Sequence, residues 1–338
     1  MKSKLIFCAV LVSMLTACSN ISEEVTTTTT TPATEATTTV QTESTTTTTT
    51  ESITTTTEDT HTEEVTQATT TTSQQTQATT TSPEPEKVIT LSNEEYTEAK
   101  ETFGEFSHFD ENYIAAYYEY SQKNPEVSPE KIVTYVNVGL DRPFYTDTTV
   151  VSDPDSILVL INKYNSIPSD WLPNDLMPLP SSMCTPGRDL YMRWEAAQAF
   201  EKLHNDAKEL GLTILAHSTH RTYSYQKMLY DNYCASDSVA NADTYSARPG
   251  YSEHHTGLAV DVKNADSNYN QFVYTEEYQW MKDNAHKYGF IQRYIEGTQW
   301  ITGYITEEWH YRYVGVEVAT NVYNSGLTYD EYYATYLQ

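Results

Sequence analysis

Between Asn20 and Glu86 the chain carries almost nothing that a folded core could bury. Threonine dominates this stretch, with Ser, Gln, Glu and Pro between; aromatics are absent and large aliphatics are few. Ordering a backbone costs conformational entropy that only buried apolar surface offsets. The segment therefore reads as a disordered linker, and packing is left to the residues beyond it. Of 338 residues, roughly 250 remain from Lys87 onward, enough for one sizeable core.

The formal net charge is -27, and the Thr-rich stretch supplies eleven acidic residues and no basic ones. Such a balance argues against nucleic acid as a partner, because phosphate binding needs clustered Lys and Arg. It suits an exported protein kept soluble by its charge. The N-terminus agrees. Lys2 and Lys4 precede an apolar run, Leu5 to Ala17, that is too short to span a bilayer. That is the layout of a secretory signal peptide.

The end of this run, Leu15-Thr16-Ala17-Cys18, resembles the lipobox of bacterial lipoproteins. The resemblance implies cleavage before Cys18, acylation of that Cys, and attachment to the outer face of a bacterial cytoplasmic membrane. Residues 1–17 are then a lipoprotein signal peptide. Residues 18–86 are the lipidated Cys and the linker. Residues 87–338 are the folded domain, with a helical extension at its N-terminal end. As a flexible coil the linker would reach about 45–50 Å, enough to let a tethered domain search the wall above a membrane. With Cys8 in the signal peptide, Cys184 and Cys234 remain. Outside the cell, two such Cys are expected to pair.

Periodicity predicts a helix over Glu94 to Lys123 and a second, short one opened by Ser128 and Pro129. Val133 to Val138 alternates weakly and reads as extended. The apolar run Ile157 to Ile161 reads as a buried strand. Asp189 to Leu210 is the clearest helix, stopped by Gly211. Beyond it come a strand over Leu212 to Ala216 and a helix near Arg221 with Ser224 as its cap. A strand over Leu258 to Val262 and a helix over Glu276 to Tyr288 come next. Strands over Phe290 to Tyr294 and Trp309 to Val314 precede a closing helix over Asp330 to Leu337. Long helices between short, turn-separated strands predict an α+β fold on an antiparallel sheet.

The chemistry gathers in the last third. Ser252-Glu-His254-His-Thr-Gly257-Leu-Ala-Val-Asp261 is one element, and Glu307-Glu-Trp-His310 the other. Two His and a carboxylate make a catalytic zinc set that leaves a position open. His254 and Asp261 would face opposite ways on one straight strand, so a turn must separate them, and Gly257 is placed to make it. Glu307, three residues before His310, is the candidate general base, with Glu308 its rival. His255 is a neighbouring false ligand. His204 and His286 read as structural.

The string S-x-H-x6-D followed by E-x-x-H, with the earlier Arg221-Thr-Tyr-x-x-Gln226, resembles the VanY-type zinc D-alanyl-D-alanine carboxypeptidases and the wider group that shares their hedgehog-like fold. The resemblance implies one Zn2+ held by His254, Asp261 and His310, with Glu307 as catalytic base. It implies that Arg221 meets the substrate carboxylate or the developing oxyanion, and that Gln226 and Ser252 line the substrate site. The implied partners are peptidoglycan stem peptides. The reaction would be D,D-carboxypeptidase action, with L,D-carboxypeptidase action on tetrapeptide stems and a non-catalytic zinc-containing wall-binding module as the alternatives.

Overall fold

In the computed structural model, residues 90–338 are described in full, together with the backbone of an antiparallel ribbon, β1 (Thr38–Thr54) and β2 (Glu64–Thr80). The signal segment 1–17 and Cys18 lie outside the described residues. Three helices come next. α1 (Asn93–Phe103) opens on a capping box between Ser92 and Glu95, and α2 (Ile114–Lys123) succeeds a turn capped by Asp110. The single helix expected over Glu94 to Lys123 is thus two, interrupted after Gly104. α3 (Pro129–Val138) includes the stretch expected to be extended. Its β-branched residues favour strands only weakly, and burial decides. Ser128 and Pro129 start the helix, Gly139 at φ 102° ends it, and Ile132, Val133 and Val136 pack on Tyr117 and Phe103.

Two small pairs lead into the main domain: β3 (Thr149–Val150) with β4 (Asn165–Ser166), and β5 (Leu176–Pro178) with β6 (Tyr191–Arg193). Because Tyr191–Arg193 is paired, the long helix α4 (Trp194–Glu209) begins later than its apolar pattern suggests. Then come β7 (Leu215–Ser218), α5 (Tyr223–Ser236), α6 (Val239–Tyr245), β8 (Ala259–Lys263), α7 (Glu276–Asn284) and β9 (Phe290–Tyr294). α8 (Gln299–Thr302), β10 (Glu307–Tyr313), α9 (Val316–Ser325) and α10 (Tyr329–Tyr336) complete the chain. Thr222, not Ser224, caps α5, its hydroxyl accepting from the Tyr225 N–H.

The central sheet has the order β7-β8-β10-β9 and is antiparallel throughout, so the fold is α+β. Alternation along the strands sorts its two faces. Val260, Val262, Tyr311 and Tyr313 turn towards α4, where Ala196, Phe200, Leu203 and Ala207 meet them in the main core. Asp261 and His310 therefore turn the other way. One end of that second face is covered by α9 and α10 through Ala319, Val322, Tyr329 and Tyr332, packed with Leu160 and Ile291. The other end is open. The Ile157–Ile161 run forms no strand. The Ile157 and Val159 carbonyls accept hydrogen bonds from the Arg312 side chain, so they are lost to any sheet ladder.

Cys184 and Cys234 are both free thiols, so the expected bridge is absent. Cys184 is buried beside β7, its sulfur near the Leu179 and Pro180 carbonyls. Cys234 rides on α5 and is partly buried.

Candidate metal centre and active site

The register of the sheet places His310 directly opposite Asp261, so their side chains share a face. His254 arrives from a single 3-10 turn, Glu253–Thr256, just before β8. Gly257 ends that turn at φ 67°, and a Cβ there would lie 2.9 Å from Leu176 and 3.1 Å from Arg193. Glycine thus answers both the backbone conformation and the space. One ligand atom from each of His254, Asp261 and His310 lies within 4.8 Å of the others, and all three residues are buried.

Hydrogen bonds on the far side of each ring set which nitrogen is free. The Thr219 carbonyl lies 2.7 Å from His254 Nδ1, so that nitrogen carries the proton and Nε2 presents a lone pair. The Nε2 stands 3.3 Å from Asp261 Oδ1. In His310 the arrangement is reversed. Its Nε2 lies 3.2 Å from Glu253 Oε2 and donates to it, which turns Nδ1 to the cluster, 3.0 Å from Asp261 Oδ1. Burial and then Arg221 push the His254 imidazole down to about 4. Burial works to raise the Asp261 carboxyl, but His254, His310 and Arg221 hold it well below the usual range. A neutral imidazole and an ionised carboxylate are the forms a borderline dication binds. Burial works to lower the His310 imidazole, but Asp261 and Glu253 raise it to about 9, so a metal ion would have to displace its Nδ1 proton.

Glu307 and His310 are three apart and would face opposite ways on a regular strand. The strand is not regular over this interval. Glu307 pairs with Tyr294 and Tyr311 with Gln292, so β10 spends two more residues than β9 over this interval. Glu307 Oε2 then stands 3.8 Å from His310 Nδ1. Burial, opposed mainly by His310, pushes the Glu307 carboxyl up to about 8. Arg221, in the loop between β7 and α5, donates from Nη2 to Asp261 Oδ2 at 2.7 Å and from Nε to Ser218 Oγ at 3.0 Å. Gln226 is buried, anchored on the Ala247 carbonyl, and with Ser252 lines the same cleft. The cleft encloses about 540 Å³, with Tyr269 and Trp309 on its wall.

His255 is no ligand. Its Nδ1 donates to the Arg221 carbonyl at 2.8 Å, and its Nε2 accepts from the Gly250 N–H at 3.0 Å. It ties the His254 turn to the Arg221 loop instead. His204, bonded to the Ile214 carbonyl, and His286, stacked on Tyr323, stand elsewhere in the structure. One functional residue escapes sequence reasoning: Glu253, wholly buried behind His310. Its signal is indirect. Arg293 and Arg312 lie in the two strands that read as part of the central sheet, and Arg is almost never fully buried without a partner.

The comparisons with known proteins fall on this part of the chain. Residues 189–316 match the VanY family profile, described as D-alanyl-D-alanine carboxypeptidase. A Bacillus subtilis protein, YodJ, is 36% identical over 188 residues, covering 54% of this chain and 69% of YodJ. A D-alanyl-D-alanine carboxypeptidase of Enterococcus faecalis is 34% identical over 187 residues, 53% of this chain and 66% of that protein. The solved structure of the LdcB LD-carboxypeptidase superposes with a TM-score of 0.53 at 35% identity, covering 56% of this chain and 91% of that one.

Proposed function

The chain belongs to the VanY family of D-alanyl-D-alanine carboxypeptidases, and from that premise we propose that it hydrolyses the C-terminal D-alanine of peptidoglycan stem peptides with one zinc ion. What supports the reading is a single juxtaposition: a His/Asp/His donor set, a carboxylate of raised pKa and a guanidinium around one cleft. His254 Nε2, an Asp261 carboxylate oxygen and His310 Nδ1 would hold the ion. Bound there, zinc supplies Lewis-acid polarisation of the scissile carbonyl and acidifies water.

The chain's own residues do the rest. Glu307 takes a proton from the attacking water and returns it to the amine of the departing D-alanine. A carboxyl poised near neutrality can do both at physiological pH. Arg221 presents its guanidinium to the terminal carboxylate, or to the oxygen on which negative charge develops. Gln226 and Ser252 flank the peptide.

The LdcB likeness favours a second reading, removal of D-alanine from tetrapeptide stems, in which the bond cut joins an L-residue to a D-residue. Incubation with pentapeptide and tetrapeptide stems, then mass measurement of the products, separates the two. Loss of one D-alanine from the pentapeptide alone supports the first reading. Loss only from the tetrapeptide replaces it with the second, and no loss from either sinks both. The tether belongs to the same proposal. Acylated Cys18 would hold the domain outside a bacterial cytoplasmic membrane, with the Thr-rich segment as its leash. Incorporation of labelled palmitate that survives in Cys18→Ala contradicts this.

A further inference from the structure

Behind His310 lies a second set of charges, of which Glu253 alone borders the cleft. Glu253 Oε1 accepts from Arg293 Nε at 2.8 Å and from Arg312 Nη1 at 3.2 Å, while Glu253 Oε2 holds His310. Arg293 Nη1 continues to Asp330 Oδ2 at 2.6 Å, and Asp330 Oδ1 accepts from Asn162 Nδ2 at 2.8 Å. Glu253, Arg293, Arg312 and Asp330 are all at most 2% exposed. Their formal charges cancel as a set of four. Asp330 belongs to α10, beyond the 189–316 segment that matches the family profile. α10 is itself braced by the N-terminal helices: Thr134 of α3 meets Thr335 at 3.2 Å, and Val138 packs with Ala334.

We propose that α10 reaches the metal ligand His310 through the buried chain Asp330–Arg293–Glu253, which makes Asp330 a positioning residue for the metal. Arg293 is shared between two carboxylates. While Asp330 takes part of its charge, Glu253 keeps an oxygen for the His310 N–H and holds the ring with Nδ1 towards the cleft. With Asp330 neutralised, the set carries a net positive charge. Glu253 is then drawn towards the guanidiniums, the grip on His310 loosens, and an uncompensated positive charge faces the dication through a dry interior. This also gives the helical extension a function. It holds in place the helix that carries Asp330.

The inference rests on the zinc reading of the site, and its test is zinc affinity of the full chain by chelator competition, with thermal unfolding of the metal-free protein alongside. Glu253→Gln should weaken zinc binding by about 10–100-fold, and Asp330→Asn by about tenfold. The double variant should bind no more weakly than Glu253→Gln alone, because both act on one chain of contacts. Thr328→Ala breaks the capping box of α10 without touching the charges. It should lower the metal-free melting temperature and leave zinc affinity at the parent value. Parent-like affinity in a folded Asp330→Asn overturns the inference, whatever happens to its melting temperature. Equal loss of affinity in Thr328→Ala overturns it too, since helix stability alone would then explain the effect. Should Asp330→Asn fail to fold, Arg293→Lys decides, because it keeps the charge but cannot bridge two carboxylates. Its affinity falls if bridging matters and stays unchanged if it does not. A parent protein that takes up no zinc sinks the proposed function instead.

Discussion

Two buried glutamates flank His310, one at each ring nitrogen, and they end in opposite states. Glu253 faces Nε2 and Glu307 faces Nδ1. Burial raises both carboxyls. For Glu253, Arg293 and Arg312 overturn it and hold the group ionised, well below the usual range. For Glu307, His310 and Arg221 act in the same direction but do not overcome burial, and the carboxyl rises to about 8. Depth therefore does not decide what a buried acid does. The counter-charge built around it does. In the proposed mechanism one glutamate stays an anion that orients a ring, and the other exchanges a proton.

The sharpest way to break this comparison is to neutralise each acid without changing its shape. Glu307→Gln should lower kcat by about 10²–10⁴-fold, the range that general-base removal spans. It should leave one zinc per chain, measured by atomic absorption. Near-normal hydrolysis in this variant would remove Glu307 from the chemistry. Glu253→Gln should show the inverse pattern, with metal affinity falling first and turnover recovering under excess zinc.

Next in size is the counter-charge itself. Arg312 is fully buried, and besides Glu253 it satisfies the carbonyls of Ile157 and Val159. Arg312→Met leaves Glu253 with one guanidinium and two carbonyls without donors. We expect a loss of about 4 kcal/mol in urea unfolding, the scale for breaking a buried pair by removing one partner. A loss below about 1 kcal/mol would mean that Arg293 alone compensates Glu253.

The two sides of His310 also differ in how far the sequence reveals them. The cleft side is legible because its groups sit in two short local patterns, one turn-plus-strand and one strand, with Gly257 marking the turn. The irregular pairing that surrounds Glu307 is not legible, since it depends on how β10 meets β9. The buried side joins Glu253, Arg293, Arg312 and Asp330 across four segments, and no local pattern links them. The same limit explains the errors of element. Val133 to Val138 alternates like a strand but packs as a helix, and Ile157 to Ile161 looks like a strand but bends around Arg312. In both places a distant partner settles what the neighbouring residues leave open.

Arg221 links the comparison to substrate. Its guanidinium already donates to Asp261 and Ser218 and still lines the cleft. Arg221→Lys keeps a positive charge and loses the fork. We expect kcat/KM for a stem peptide to fall by about 100-fold, close to 3 kcal/mol. A change confined to metal content would instead make Arg221 a support for Asp261 alone.

Lys163 sharpens the point farthest from the metal, because it is a buried cation with no carboxylate of its own. It is 3% exposed and sits 4.2 Å from the Tyr304 ring centre and 5.1 Å from that of Tyr145. It donates to the Asp243 backbone carbonyl, while the Asp243 carboxylate is taken by Arg248 and Tyr230. Burial lowers its pKa from 10.5 to about 8. Between those values the unfolded chain binds more protons than the folded one, so folding stability must rise with pH. The cost of the buried cation is complete below about pH 8 and is relieved as the ammonium loses its proton. Lys163→Met has no such group. The stability of the parent relative to Lys163→Met should therefore climb by about 1–2 kcal/mol between about pH 8 and pH 9.5, measured by urea unfolding at each pH. A flat difference over that interval would mean that the two rings and one carbonyl stabilise the ammonium as well as water does, and that counter-charge is not what separates Glu253 from Glu307.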